Sequence, residues 1–221
     1  MDPTLYVILD RAAARGRDLE EILEAALAGG CGMFQLREKA WPSGRLLPLA
    51  ERLRGRCRRA SATFIVNDRL DLALAVDADG VHLGQEDLPP RAARPLLRRG
   101  MILGLSTHSL AQARDAQAAG ADYVAVGSMF PTDTKPDFEL VGSDLVRRLR
   151  PEIRVPLVGI GGITAANVPE VIRAGADGVA VISAVCGAPD PAAATRSLLD
   201  AIRGARDIRG ARDLTARRRP L

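Results

Sequence analysis

Short apolar segments alternate with amphipathic segments along most of the chain. Near-continuous Val, Ile and Leu runs are typical of strands buried on both faces, and the intervening segments have helical periodicity. The apolar runs are LYVILD (5–10), MFQLR (33–37), TFIVN (63–67), GVHLG (80–84), MILGLS (101–106), YVAVG (123–127), VPLVGI (155–160) and GVAVIS (178–183). Eight such βα units predict an α/β fold, a single-domain (β/α)8 or TIM barrel. A doubly wound open sheet is the structural alternative.

A short internal repeat supports this organisation. AGADYVAVGS (119–128) and AGADGVAVIS (174–183) share one design, and AVDADGVHLG (75–84) is a looser copy. In each, a helix ends at a small residue, an Asp follows, and a strand begins. We predict that Asp79, Asp122 and Asp177 are turn residues at the amino-terminal ends of the strands, the end of a barrel that serves stability.

The charge of the chain is concentrated at its carboxyl end. Residues 204–221 carry six Arg and two Asp, so they account for the whole net charge of +4 and leave residues 1–203 neutral. This segment repeats RGARDI (203–208) as RGARDL (209–214). We therefore predict a barrel domain over residues 1–203 and a basic, disordered tail over 204–221.

Composition excludes several other classes of protein. Aromatic residues are only 3% of the chain, too few for the stacking platforms of single-strand binders, so no nucleic-acid partner is expected. No apolar run approaches the roughly 18 residues of a membrane span, and the first ten residues lack the basic start of a secretory signal. The three cysteines, Cys31, Cys57 and Cys186, are scattered, which disfavours disulfides and zinc and favours a cytoplasmic location.

Polar residues gather at the predicted carboxyl ends of the strands, where barrel active sites lie. The opposite ends carry mostly Gly, Ala, Asp and Pro, and this asymmetry indicates an enzyme. Gln35, Arg37 and Lys39 alternate and so share one face of strand 2, whereas Glu38, on the other face, is expected to orient its neighbours or contact a helix. The remaining polar ends are Asn67 and Asp68, Gln85 to Asp87, Ser106 to His108, PTDTK (131–135), GIGGIT (159–164), and Ile182 and Ser183.

Two sites for phosphate groups are indicated. GIGGIT, followed by a helix predicted to start near Thr164 and by Ser183 after the next strand, fits the phosphate site that barrels build after strands 7 and 8. Arg37, Lys39 and Lys135 would meet Asp68 and Asp87 at the same mouth, a set that suits a second polyanion together with Mg²⁺. The alternative for GIGGIT is a glycine turn that serves packing only. The alternative for Asp68 and Asp87 is that they form surface ion pairs.

Four further residues are weaker candidates. His82 lies inside strand 4, where a hydrogen-bonded core His is favoured over a general base. His108 follows Ser106, but no GxSxG elbow is present. Cys31 precedes strand 2, the wrong end for a nucleophile, and Trp41 either lines the mouth or caps the barrel.

Seven motifs follow one another along the chain: QLREK, IVND, HLGQED, GLSTHS, PTxTK, VGIGGIT and VISA. Their order and spacing resemble those of the thiamine-phosphate synthase family. The resemblance covers nearly all of residues 4–203. It implies a transferase of thiamine biosynthesis that joins hydroxymethylpyrimidine diphosphate to a thiazole phosphate. Diphosphate would leave first, giving a resonance-stabilised cation that the thiazole nitrogen attacks, so no tuned base is required.

The resemblance also implies roles for individual residues. The metal would be one Mg²⁺, bound by Asp68 and Asp87. Catalytic roles would fall to Arg37, Lys39, Ser106 and Lys135. The pyrimidine diphosphate would contact Gln35, Leu36, Arg37, Glu38, Lys39, Asn67, Ser106 and Lys135. The thiazole phosphate would contact Thr132, Asp133, Thr134, Gly162, Ile182 and Ser183.

Two rival functions are kept. A thiazole tautomerase shares this fold, and His108 is the residue that favours it, whereas Gln35, Asp68, Asp87 and Lys135 together favour the synthase. A non-catalytic phosphate-ligand sensor is the alternative from a different class. The expected partners are small phosphorylated molecules, with no membrane, and the sequence leaves open whether the chain forms a homo-oligomer.

Overall fold

The computed structural model describes residues 1–132 and 139–217, with side chains described as far as residue 208. It contains a closed barrel in which eight parallel strands follow one another in chain order, and the first strand pairs with the last. This arrangement confirms the predicted single-domain (β/α)8 barrel. It excludes the open sheet, because an open sheet would leave two strand edges unpaired.

The strands agree closely with the predicted apolar runs. They are Leu5–Asp10 (β1), Met33–Arg37 (β2), Thr63–Asn67 (β3), Gly80–Leu83 (β4), Ile102–Thr107 (β5), Tyr123–Val126 (β6), Leu157–Ile160 (β7) and Gly178–Val181 (β8). Every residue of β1 is buried, as expected for a strand covered on both faces.

Helices cover the outside of the barrel. They are Leu19–Ala28 (α1), Ser43–Arg59 (α2), Leu70–Ala75 (α3), Pro90–Ala93 (α4), Leu110–Ala118 (α5), Gly142–Leu149 (α6), Val168–Arg173 (α7), Ser183–Cys186 (α8) and Pro191–Arg217 (α9), and a 3₁₀ turn, Arg94–Leu96, follows α4. Among the described residues, none of these helices combines the length and apolar character that crossing a membrane requires.

Two helix boundaries differ from the prediction. The helix expected to start near Thr164 begins at Val168, because the Asn167 side chain accepts from the Thr164 N–H (2.8 Å) and donates to the Gly162 carbonyl (2.9 Å), which holds a turn there. Helix α9 continues past residue 203, the predicted end of the barrel domain, to Arg217. Buried Ala205 packs in the core, and Arg206 donates to the Asp177 carbonyl, so the helix keeps tertiary contacts beyond residue 203.

The side chains of the strands form two apolar layers. The outer layer lies between strands and helices, and the inner layer fills the barrel. Along β2, Met33 belongs to the inner layer, and Phe34 and Leu36 belong to the outer one. Because side chains alternate along a strand, Gln35 and Arg37 point into the barrel, as their predicted common face requires.

The three repeated Asp residues hold the amino-terminal end of the barrel together, as predicted. Asp79, Asp122 and Asp177 each accept a 2.8 Å hydrogen bond from a backbone N–H of the preceding strand. The donors are Phe64, Leu103 and Leu157, and the arginines that pair with the carboxylates are Arg54, Arg94 and Arg150. Each Asp thus ties a strand to its neighbour and to an arginine that lies in α2, in the 3₁₀ turn or directly after α6.

Asp79→Ala is expected to lower the free energy of unfolding by about 2 kcal/mol, because it leaves the Phe64 N–H without its acceptor and Arg54 without its partner. Urea denaturation followed by circular dichroism measures this loss. Asp115→Ala, at an exposed position of α5, is the control and should leave stability unchanged or slightly higher. Equal stability of the two variants would contradict the structural role of Asp79.

Candidate active site

A cavity of about 670 Å³ opens at the carboxyl ends of the strands, the end at which the sequence placed the site. Such a volume is within the range of small-molecule sites. The predicted site residues that line it are Lys39, Asn67, Asp68, Asp87, Ser106, Thr132, Gly162, Ile182 and Ser183. Gln35, Leu36, Arg37 and Glu38 are absent from its lining, and Asp133, Thr134 and Lys135 lie outside the described residues.

A pair of carboxylates forms one side of the cavity. Asp68 directly follows β3, and its φ of 60° lies in the left-handed region that Asp tolerates better than most residues. Its carboxylate pairs with Lys39. Burial raises the pKa of Asp68, Lys39 opposes that rise, and the adjacent Asp87 carboxyl adds to it.

Asp87 is held in place by its own loop. Its Oδ2 accepts a 2.7 Å hydrogen bond from the Gly84 N–H, which closes the turn after β4. Two like-charged carboxylates in contact destabilise each other unless a proton or a cation lies between them. The pair therefore fits Mg²⁺, which takes one or two carboxylates and completes its shell with water and substrate phosphates. Within the described part of the chain, no group of three or more His, Cys, Asp or Glu could hold a metal.

Gln35, Arg37 and Lys39, which were predicted to share one face of β2, do not all reach the cavity. Arg37 pairs with Asp10 at the end of β1, and the register of the two strands places these residues side by side. The Arg37 Nε is buried and has no hydrogen-bond partner among the described residues. Only Lys39, beyond the strand, reaches the cavity and the carboxylate pair. Arg37 is thus oriented by Asp10 and is absent from the cavity lining.

Glu38 orients its neighbours, as predicted. Its Oε1 accepts from the Ala40 N–H (2.7 Å) and its Oε2 pairs with Arg11 (2.6 Å). Arg11 and Arg45 stack on the Trp41 ring, 4.1 and 3.9 Å from its centroid. Trp41 therefore caps the outside of the β2 end and is absent from the cavity lining.

Glycines form the opposite side of the cavity. Gly161 and Gly162 have φ of 100° and 62°, a region that strongly favours glycine. A Cβ on Gly161 would overlap Ser128, and one on Gly162 would overlap the Pro131 carbonyl, so both glycines are also required for packing against the β6 loop. The packing alternative is therefore correct in part, and it is compatible with a phosphate site between Gly162 and Ser183.

Both histidines line the cavity, but their contacts differ. His82 is 6% exposed, and its ring nitrogens contact the hydroxyls of Tyr123 (2.8 Å) and Ser106 (2.9 Å), which fits the favoured hydrogen-bonded core His. His108 lines the cavity, and its Nδ1 lies 2.5 Å from the Gly127 carbonyl oxygen.

The three cysteines are poor nucleophiles. Burial raises the pKa of Cys31 and Cys57 to about 12 and that of Cys186 to about 11. Their thiols stay protonated at neutral pH, whereas nucleophilic attack requires the thiolate.

Sequence reasoning missed three polar residues at or below the site. Asp10 ends β1, and the signal used for the other strands, a polar residue at the carboxyl end, would have found it. Tyr6 and Tyr123 lie inside apolar runs, and their hydroxyls hydrogen-bond to each other at 3.0 Å in the middle of the barrel. No sequence pattern marks such a contact across 117 residues.

Comparisons with known proteins agree with one another. The family model described as thiamine monophosphate synthase matches residues 5–185. The thiamine-phosphate synthase of Moorella thermoacetica is 50% identical over 91% of this chain and 97% of its own, and that of Chloroflexus aurantiacus is 48% identical over 90% and 92%. The solved thiamine phosphate pyrophosphorylase of Pyrococcus furiosus superposes with a TM-score of 0.84, at 40% identity, over 92% of this chain and 97% of that one.

Proposed function

This chain belongs to the thiamine monophosphate synthase family, and we propose that it condenses 4-amino-2-methyl-5-hydroxymethylpyrimidine diphosphate with a thiazole phosphate or its carboxylate. The products are thiamine phosphate and diphosphate, with carbon dioxide released as well when the carboxylate is the substrate. The observation that carries this function is near-50% identity to synthases over about nine tenths of the chain. The cavity supports it, because the carboxylate pair and Lys39 lie on one side and the glycine loop with Ser183 on the other.

The bond changes demand little proton transfer. The C–O bond at the pyrimidine methylene breaks, both electrons leave with the diphosphate, and the thiazole nitrogen then forms the new C–N bond with its lone pair. The protein must therefore stabilise the leaving negative charge and exclude water from the cation. The ammonium of Lys39 suits the first task, and the barrel walls around Ile160 and Ile182 suit the second.

We propose that Asp68 and Asp87 hold one Mg²⁺. When bound, the ion would neutralise charge on the diphosphate. Asp87 would present a carboxylate fixed by Gly84, and Asp68 would share its own between the ion and Lys39. Asn67 and Ser106 would contact the pyrimidine, and Thr132, Gly162, Ile182 and Ser183 the thiazole phosphate, since all of them line the cavity.

Arg37 is assigned a less direct role than the resemblance implies. Its guanidinium pairs with Asp10 and is absent from the cavity lining, so we propose that it contributes only a weakened positive potential to the diphosphate site. The roles implied for Asp133, Thr134 and Lys135 stay predictions, as do the cytoplasmic location and the formation of a homo-oligomer.

The tautomerase and the non-catalytic sensor are not favoured, because the similar proteins at about half identity carry the synthase name. We expect the purified chain to form thiamine phosphate and diphosphate in equal amounts when both substrates and Mg²⁺ are present, and neither product when one substrate is omitted. Chromatography with a diphosphate assay measures both. Interconversion of thiazole carboxylate tautomers in the absence of the pyrimidine substrate, abolished by His108→Asn, would instead establish the tautomerase.

A further inference from the structure

Lys39 lies in the loop that joins β2 to α2, residues 38–42. Of residues 35–39, all of which the structure describes, Lys39 alone lines the cavity. Its side chain is 56% exposed, and its Nζ pairs with Asp68. A long, exposed side chain on an irregular loop has high conformational entropy. The position of its ammonium group therefore depends on how firmly the backbone of the loop is held.

Three arginines from outside the loop contact Trp41. The guanidinium carbons of Arg11, which follows β1, and Arg45, in α2, lie 4.1 and 3.9 Å from the centroid of the Trp41 ring. The Trp41 carbonyl accepts a 3.0 Å hydrogen bond from Nη1 of Arg69. Arg69 directly follows Asp68, so the segment that carries this carboxylate also holds the loop. The loop is thus tied to three neighbouring segments of the barrel mouth.

A second anchor of the loop shares one of these arginines. The Glu38 Oε1 accepts from the N–H groups of Ala40 (2.7 Å) and Trp41 (3.3 Å). The Glu38 Oε2 pairs with the Arg11 Nε at 2.6 Å, and the Glu38 side chain is only 6% exposed. Because Arg11 contacts both Glu38 and the Trp41 ring, loss of the ring would loosen both anchors of the loop.

The contacts of Trp41 explain why an aromatic residue stands at this position. The ring packs partly buried against the core and is absent from the cavity lining, so it is not a stacking surface for a substrate. A leucine would pack against the core as well, but it would not attract the guanidinium groups of Arg11 and Arg45, which requires the negative face of an aromatic ring. The arginines therefore account for the aromatic ring better than the core does.

We propose that Trp41 is a positioning residue that acts through Lys39: its contacts with the three arginines hold the loop so that the ammonium group stays beside the carboxylate pair. This inference rests on the proposed function. Without these contacts, Lys39 would be in place beside the leaving diphosphate for a smaller fraction of the time. The phosphate site at Gly162 and Ser183, on the opposite side of the cavity, would be unaffected.

Substitution of Trp41 provides the first test. Trp41→Leu is expected to lower kcat/KM for the pyrimidine diphosphate about tenfold, equivalent to about 1.4 kcal/mol and the scale of two exposed guanidinium–aromatic contacts, and to leave the KM for the thiazole phosphate unchanged. Trp41→Phe keeps an aromatic ring and should recover most of this loss. Wild-type kcat/KM in Trp41→Leu, or equal losses in the two variants, would overturn the proposal.

A double-mutant cycle tests whether Trp41 acts through Lys39. In the Lys39→Ala background, Trp41→Leu should cause no further fall in kcat/KM, because the group that it positions is already absent. Single-turnover measurements at high enzyme concentration are used, since Lys39→Ala alone is expected to slow the reaction about 100-fold or more. A fall of about tenfold in both backgrounds would show that Trp41 acts independently of Lys39 and would refute the inference.

Fluorescence tests the ring contacts without an activity assay. The chain contains one tryptophan, so its emission reports on Trp41 alone. Acrylamide should quench Arg45→Ala faster than the wild type, because Arg45 covers the ring. Arg58→Ala makes the same change at an exposed position near the other end of α2, and it should be quenched as the wild type is. Equal quenching of all three proteins would contradict the proposed contacts.

The outcomes separate this inference from the proposed function. A wild-type chain that forms no thiamine phosphate would refute the proposed function. An active wild type whose kcat/KM is unchanged by Trp41→Leu would refute only the role of Trp41. If Trp41→Leu does not fold, Trp41→Ala in both Lys39 backgrounds is measured in the same cycle, with the same expected results.

Discussion

Asp87→Asn is expected to reduce kcat for thiamine phosphate formation by about 100-fold to 1,000-fold, the usual cost of removing one charged stabiliser from an active site. Asparagine keeps the shape of aspartate and can still accept from the Gly84 N–H, so the loop after β4 should keep its turn. What the variant loses is one of the two negative charges that face the proposed Mg²⁺ beside Lys39.

The proposed ion gives this prediction a second readout that does not depend on activity. Mg²⁺ at ten times its Kd should stabilise the wild type by about 1.4 kcal/mol, because only the folded chain places Asp68 beside Asp87. Thermal unfolding with and without Mg²⁺ measures this shift, which should be lost in Asp87→Asn. Removal of Mg²⁺ with EDTA should stop turnover of the wild type.

Asp71→Asn is the matched control for Asp87→Asn. It makes the same change of charge at an exposed position in α3, outside the cavity, where Asp71 contacts Ser43. Its turnover and its stabilisation by Mg²⁺ should equal those of the wild type. Full activity of Asp87→Asn, or of the wild type in EDTA, would refute the metal site.

Gly104→Ala is expected to destabilise the barrel strongly, because it adds a methyl group on β5 at a position that has no space for it. Its Cβ would overlap the Cζ, hydroxyl and Cε1 atoms of Tyr123, and that ring is fully buried between His82 and Tyr6. An aromatic ring held on several sides cannot move aside as a flexible side chain can. We expect the free energy of unfolding to fall by about 3 kcal/mol, the upper part of the range for overpacking.

Differential scanning calorimetry measures this loss, and a fall in Tm of about 6–12 °C corresponds to it for a chain of this length. Gly32→Ala is the control, because a Cβ at Gly32 has no neighbour within 4 Å and Gly32 has no positive φ. Wild-type stability of Gly104→Ala would show that the Tyr123 ring is not fixed in this position.

The sequence predicted the fold and the end at which the site lies. Strands buried on both faces of a closed parallel barrel read as apolar runs, so β1, β2 and β3 were predicted with the bounds that the structure has. Polar residues directly after such runs must lie at the open mouth, which is why Lys39, Asp68 and Asp87 were predicted together. These signals are local, and each can be recognised within about ten residues of the chain.

Side-chain partners across the barrel depended on tertiary structure. Whether Arg37 faces a ligand or Asp10 depends on the register of β1 against β2, and the apolar pattern does not encode that register residue by residue. The contact between Tyr6 and Tyr123 exists because closure of the barrel brings the interior faces of β1 and β6 together. The sequence thus determined which residues form the barrel and its mouth. Only the closed barrel decided which polar groups meet inside it, because such contacts join strands far apart in the chain.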